Sequence, residues 1–249
     1  TGVSVLFARF YGARDFDRFR REHFLSLTFG LLCTAAAGIL GRLCLPGLLA
    51  MIQTPEELAG LVEGYLAIIL LNLPAAFLYN LYGSLLRSVG RAAAALAALA
   101  VATGVNLGLD LLFVARLGWG IAGAAWATAI AQALSALLCI LWLCRAAPEL
   151  LFGRRDCLLD RSLLRQTAHF SFVTGLHQSS LYIGKLLVQG AVNTAGTDVI
   201  SAYTATTRIE GFANSFGDSG SAATSVLTAQ NLGAKRQDRV RGTFWTSLR

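Results

Sequence analysis

The chain has 249 residues, 55% hydrophobic and only 14% charged, with a formal net charge of +7 and a mean hydropathy of +0.58. A soluble domain carries about a quarter of its residues as charged side chains, so this composition excludes an ordinary soluble core and predicts an all-α integral membrane protein. The excess of Lys and Arg falls in alternate connections between apolar runs, which argues against a nucleic-acid partner.

Residues 1–8 read as the end of a membrane crossing. Six apolar runs follow: A at 24–50, B at 61–86, C at 92–114, D at 120–144, E at 163–192 and F at 199–232. Each is long enough to cross a hydrocarbon layer ~30 Å thick. Residues 242–249 read as the entry to another span. The chain begins with Thr1 and no signal-peptide pattern follows, so a fragment cut at both ends is expected.

The loops set the orientation. Five Arg lie between Arg9 and Arg21, Arg87 and Arg91 flank the B–C turn, and Arg145, Arg154, Arg155, Arg161 and Arg165 lie around the D–E linker. Lys235, Arg236, Arg239 and Arg241 follow span F. The alternate connections are poor in basic residues: Gln53–Gly60 and Asn193–Asp198 have none, and the C–D turn has only Arg116. That is the positive-inside pattern, and it places the Arg-rich connections in the cytoplasm.

Short turns between A and D predict antiparallel neighbours. The D–E linker, with Pro148 and Gly153, is the expected joint of a two-lobe bundle. The division is 1–145 for the first lobe, 146–162 for a cytoplasmic linker and 163–249 for the start of the second. Small residues through C and D (Ala92–Ala98, Gly104, Gly108, Gly123–Ala125) predict close helix approach, and GVNLG at 104–108 reads as a packing motif. Pro74 should kink span B, and span F is too long to cross straight.

The two chain ends share a pattern. SVLFARFYGARDFDRFRR at 4–21 aligns without gaps on SVLTAQNLGAKRQDRVRG at 225–242, with nine of eighteen positions identical at an offset of 221. Internal repeats separated by whole membrane crossings mark duplicated bundles of the kind secondary transporters use.

Polar groups at membrane depth are costly, about 2.5–3.5 kcal/mol for a carboxylate at a helix centre, so they mark candidate chemistry. In span C, Asn106 and Asp110 stand at i and i+4 on one helix face, a proton or cation site or else polar glue between helices. Tyr65 and Asn80 in B, and Thr128 and Gln132 in D, read singly as helix–helix glue. Span E carries Gln178, Lys185 and Gln189, and span F carries Arg208, Glu210, Asn214 and Asp218. Lys185 pairs with Glu210 or Asp218 on one reading; on the other these residues line an aqueous or substrate path. The five Cys and three His lack metal-ligand spacing. His23 falls in a basic loop, and GDSGSA at 217–222 imitates a protease nucleophile segment without partners, so no enzyme is expected.

Several segments resemble one family: SVLFARFYGARD, TPEELAGLVEGYLAII, LRSVGR, NLGLDLLFV with GWGIAGAAWATAIAQALSALLC, and GTDVISAYTATTRIEGFANSF with TAQNLGAKR. In order and spacing they are similar to the multidrug and toxic compound extrusion (MATE) family. The resemblance implies twelve helices in two six-helix lobes, this chain running from the end of the second to the start of the ninth. It implies a monomer in a prokaryotic inner membrane that exports cationic or amphipathic small molecules by alternating access, against protons or sodium, with no cofactor. It also implies an ion-coupling cluster of Asp110 and Asn106 helped by Tyr65, Asn80 and Thr128, with Gln178, Lys185, Gln189, Arg208, Glu210 and Asp218 along the substrate path. The coupling carboxylate of the first helix would lie outside this chain. Span E lacks the Glu that one branch uses for sodium. A lipid-linked saccharide flippase of the same superfamily and a non-transporting scaffold are the alternatives.

Overall fold

The computed structural model describes residues 2–51, 56–158, 160–193 and 197–247. Eight α-helices follow in order: α1 Gly2–Gly12, α2 Phe16–Met51, α3 Glu56–Ser88, α4 Ala92–Asp110, α5 Gly120–Ala146, α6 Arg161–Asn193, α7 Thr197–Gly233 and α8 Gln237–Ser247. A π-helical turn, Leu111–Arg116, extends α4, and a short 3-10 turn, Pro148–Leu150, follows α5. No strand occurs among the described residues. Of the expected outer connections, residues 52–55 and 194–196 lie outside the described set.

Among the described residues four stretches are long and apolar enough to cross a membrane: Phe16–Gly47, Gly60–Ser88, Ala92–Arg116 and Gly120–Ala146. Leu32, Leu43, Leu71, Leu96 and Leu107 on these helices are all more than half exposed. Such apolar surface suits hydrocarbon and would be a liability in water. Spans E and F were expected to make six, but only four helices qualify. Helices α6 and α7 have the length; the Ser, Thr, Gln and charged residues spread through them remove the apolarity.

By their contacts the residues form two compact units, one of Phe16–Leu159 and one of Thr1–Asp15 with Asp160–Arg249. In the first, α5 lies against both α3 and α4, and α2 packs on α3. The buried face of α4 is all alanine (Ala94, Ala95, Ala98, Ala102), and that of α5 includes Gly123, Ala125, Ala127, Ala131 and Ala136. With no bulky side chain between them the backbones approach closely, so that Ser135 Oγ donates to Ala98 O at 3.4 Å. The GVNLG motif takes no part in this. A Cβ on Gly104 or Gly108 would meet nothing within 4 Å.

Helix α2 starts eight residues before the expected span. Phe16 and Phe19 alternate with Asp17, Arg18, Arg20 and Arg21, an amphipathic turn that buries Phe19, Glu22 and His23. His23 is therefore inside the unit, not in a loop. The linker packs over this turn. His23 Nδ1 lies 3.4 Å from Leu150 O, its ring meets Tyr82 and Phe152 edge-on, and Leu150 is buried. Arg20 donates from Nε to Asp156 Oδ2 at 3.1 Å and from Nη1 to Glu149 O at 3.2 Å, and it also pairs with Asp17. Asp156 in turn accepts from Gly153 N at 2.9 Å. The linker residues from Glu149 to Asp156 are thus strapped to α2.

In the second unit α1 packs along α7, with α6 and α8 beside them. Asp160 begins α6 by accepting from Ser162 N and Leu163 N at 2.9 and 3.3 Å, an N-cap for otherwise unpaired donors. Helix α7 runs unbroken for 37 residues, ~55 Å at 1.5 Å per residue.

Candidate functional site: a polar cluster in the four-span unit

Asp110 is the last residue of α4, and the π-helical turn begins immediately after it. Leu111 N donates back to Gly108 O and Leu107 O, and Leu117 N closes the wider turn on Leu112 O at 2.9 Å. Such wide turns break the regular backbone ladder and recur at functional sites. Asn106 precedes Asp110 by one turn on the same face. Asn106 Nδ2 and Asp110 Oδ1 are both buried without a hydrogen-bond partner. The orphaned carboxylate oxygen, in an apolar bundle, is what a bound cation or proton would satisfy, while the orphaned amide donor one turn away needs an acceptor.

The expected helpers do not close on this pair. Asn80 Nδ2 donates to Ala76 O at 2.8 Å and Thr128 Oγ1 to Ala124 O at 3.0 Å, each within its own helix. Tyr65 is exposed on α3 and forms no side-chain hydrogen bond. By axial rise, Asn80 stands ~12 Å from the α3–α4 turn at the end of α3, whereas Asp110 stands ~27 Å from that turn along α4. Instead the structure joins Asn72 and Gln132: Asn72 Nδ2 donates to Gln132 Oε1 at 2.7 Å, tying α3 to α5 with Asn72 buried. The sequence signal was an amide inside each of two apolar runs, LLNLP and IAQAL.

The α6–α7 residues are dispersed. Gln178, Lys185, Arg208, Glu210 and Asp218 are exposed, and Gln189 is half-buried. Lys185 pairs with neither Glu210 nor Asp218; Glu210 accepts from Asn214 Nδ2 at 3.2 Å along α7 instead. Thr167, Ser171, Thr174, Gln178, Tyr182, Lys185 and Gln189 recur at three- and four-residue steps, which puts them on one face of α6. Leu176, Ile183 and Leu187 fall on the other. A cavity of about 480 Å³ lies elsewhere, between α2 and α3, lined by Gly38, Ile39, Leu70, Leu71 and Pro74 with Arg42 at its edge. Arg42 is held there by Glu63 at 2.9 Å. Among the described residues no group of three or more His, Cys, Asp or Glu is placed to hold a metal ion.

The long apolar helices define a multi-pass helical membrane protein. The MatE family model matches residues 1–112. The chain is 26% identical over 248 residues to the probable multidrug resistance protein YoeA of Bacillus subtilis (strain 168), covering 97% of this chain and 54% of that protein. It is 26% identical over 222 residues to the probable multidrug resistance protein YpnP of the same organism, covering 87% and 46%. An outward-facing structure of a multidrug resistance MATE family transporter of the MOP superfamily superposes with a TM-score of 0.90 at 24% identity, over 99% of this chain and 55% of that one. In fold the chain is similar to MATE family transporters, and its first 112 residues match the MatE model. It spans about half the length of the curated relatives it matches.

Proposed function

We propose that this chain forms part of a secondary active antiporter in a prokaryotic cytoplasmic membrane, exporting cationic amphipathic compounds in exchange for protons or sodium by alternating access. The observation that carries the reading is the orphaned pair Asn106 Nδ2 and Asp110 Oδ1 at the start of the π-helical turn. A titrating or cation-binding carboxylate there has two states that differ by one charge. That difference is large in an apolar bundle, so occupancy biases how α4 packs against α5. Relatives named for multidrug resistance support the substrate class. The test is ion-driven ethidium efflux by the full-length transporter in proteoliposomes, with and without Asp110→Asn. Equal insertion with loss of gradient-driven efflux supports the reading; unchanged efflux sinks it.

Lys185 and Arg208 favour a second reading. Neither has an acidic partner among the described residues, and two uncompensated cations suit an anionic amphipath such as a lipid-linked saccharide. Flipping of a labelled lipid phosphate, lost on Lys185→Gln and with no ethidium transport, would select that reading.

A further inference from the structure

The sequence offset of 221 reappears in the backbone. Ala13 N donates to Arg9 O at 3.0 Å, and Ala234 N to Gln230 O at 2.9 Å. Arg14 N donates to Tyr11 O and Lys235 N to Leu232 O, both at 3.1 Å. Asp15 N and Arg236 N close on Phe10 O and Asn231 O at 3.0 and 2.9 Å. Among the described residues, Arg14 and Lys235 are the non-glycine residues with positive φ, 56° and 58°. Each feature of the first copy maps onto its counterpart in the second.

The two copies also touch through equivalent atoms. A Cβ on Gly12 would stand 2.0 Å from Gln230 O, and a Cβ on Gly233 would stand 2.1 Å from Arg9 O. Gly12 and Gly233 are equivalent, and so are Arg9 and Gln230. When residue i meets the copy of j, and j meets the copy of i, the contact is isologous and a two-fold axis passes through it. Ala8 and Ala229, one turn earlier in each copy and again equivalent, are both buried. Each copy therefore presents a small-xxx-small face, the pattern that lets membrane helices meet backbone to backbone.

We propose that this reciprocal Ala8–Gly12 and Ala229–Gly233 contact is the cytoplasmic closure of the transport path. The inference rests on the alternating-access reading. Both copies lead directly into Arg-rich segments, which places the contact at the cytoplasmic end of α1 and α7. In a bundle built of two repeats related by an axis along the membrane normal, the path follows that axis. A contact across the axis at one end closes the path at that end and must part when the path opens there. Glycine at both centres makes the closure tight yet separable, since no side chains interlock.

The test uses the full-length transporter without native cysteines, carrying a single Phe10→Cys reporter, buried beside the contact. Labelling by a thiol reagent is followed from the cytoplasmic face of inverted vesicles. Gly12→Ala and Gly233→Ala each force backbones apart by about 1 Å, from clearances of 2.0 and 2.1 Å, and should each raise the labelling rate at least threefold. The double variant should add little to either, because both open one contact. Gly220→Ala, whose Cβ meets nothing within 4 Å, should leave the rate unchanged. Imposing the driving ion gradient should shift labelling of the unsubstituted reporter protein. Alanine effects that are absent or fully additive overturn the contact, and labelling indifferent to the gradient in a protein that transports overturns the closure. A protein with no ion-driven efflux removes the alternating-access reading and this inference with it.

Discussion

Asn72 and Gln132 form the hydrogen bond that fixes α3 against α5, 2.7 Å long, with Asn72 8% exposed. Neither amide has a counterpart in water at that depth, so each depends on the other. Removing one partner leaves a buried polar group unpaired, at about 1–3 kcal/mol in a soluble core and nearer 1 kcal/mol between membrane helices. Asn72→Leu and Gln132→Leu should each lower the melting temperature of the detergent-solubilised protein by a few degrees. The double substitution, which leaves no orphan, should recover part of the loss. Independent, additive losses would mean the bond holds nothing together.

Asn106 and Asp110 should differ in consequence. On the proposed antiporter reading, Asn106→Ala removes a neutral donor and should weaken ion-driven efflux of the full-length protein severalfold, while Asp110→Asn removes the carboxylate and should abolish coupling. Thr128→Ala should have the smallest effect, because Thr128 bonds its own helix backbone. Initial efflux rates at equal expression check the order. A larger loss for Thr128→Ala than for Asn106→Ala would show that the π-helical turn is not the centre of the site.

The charge pattern predicts an orientation for the bundle. Cys157, in the Arg-rich linker, should react in intact cells only with a membrane-permeant thiol reagent. Leu117→Cys, in the opposite turn and half exposed, should react with an impermeant one. Reversed labelling would invert the topology.

The strap over α2 should protect the linker from protease. Arg20 and Asp156 are only partly exposed, so their pair is worth about 1 kcal/mol or less, yet it also positions Gly153 through Asp156. Asp156→Asn should speed tryptic cleavage after Arg154 or Arg155 in inverted vesicles and leave cleavage elsewhere unchanged. An unchanged rate would assign the strap to Leu150 and Phe152 alone.

Helices α4 and α5 were legible almost to the residue, because apolar composition and short polar turns decide where a chain leaves the membrane. The start of α2 was not, since Phe16, Phe19 and His23 are interleaved with four charges and read as a basic loop until folding shows which side is buried. Two of the six runs read as crossings became α6 and α7, which are long but more polar than the four apolar helices. At the site, the spacing of Asn106 and Asp110 identified the orphaned pair, since four residues always share a helix face. Which amide meets which across helices depends on rotation about two axes, and spacing along one helix carries no information on that. Hence Asn80 and Thr128 were expected near Asp110 and bond their own helices instead, while Asn72 and Gln132 found each other.

The paired glycines also limit how this chain can change. Because Gly12 abuts the Gln230 carbonyl and Gly233 abuts the Arg9 carbonyl, a methyl group added to either copy strikes the backbone of the other, where no side-chain substitution can make room. Two stretches that lie 221 positions apart and share only half their residues are thereby bound to one backbone shape. Arg14 and Lys235 show the result: different side chains, left-handed conformations within 2° in φ.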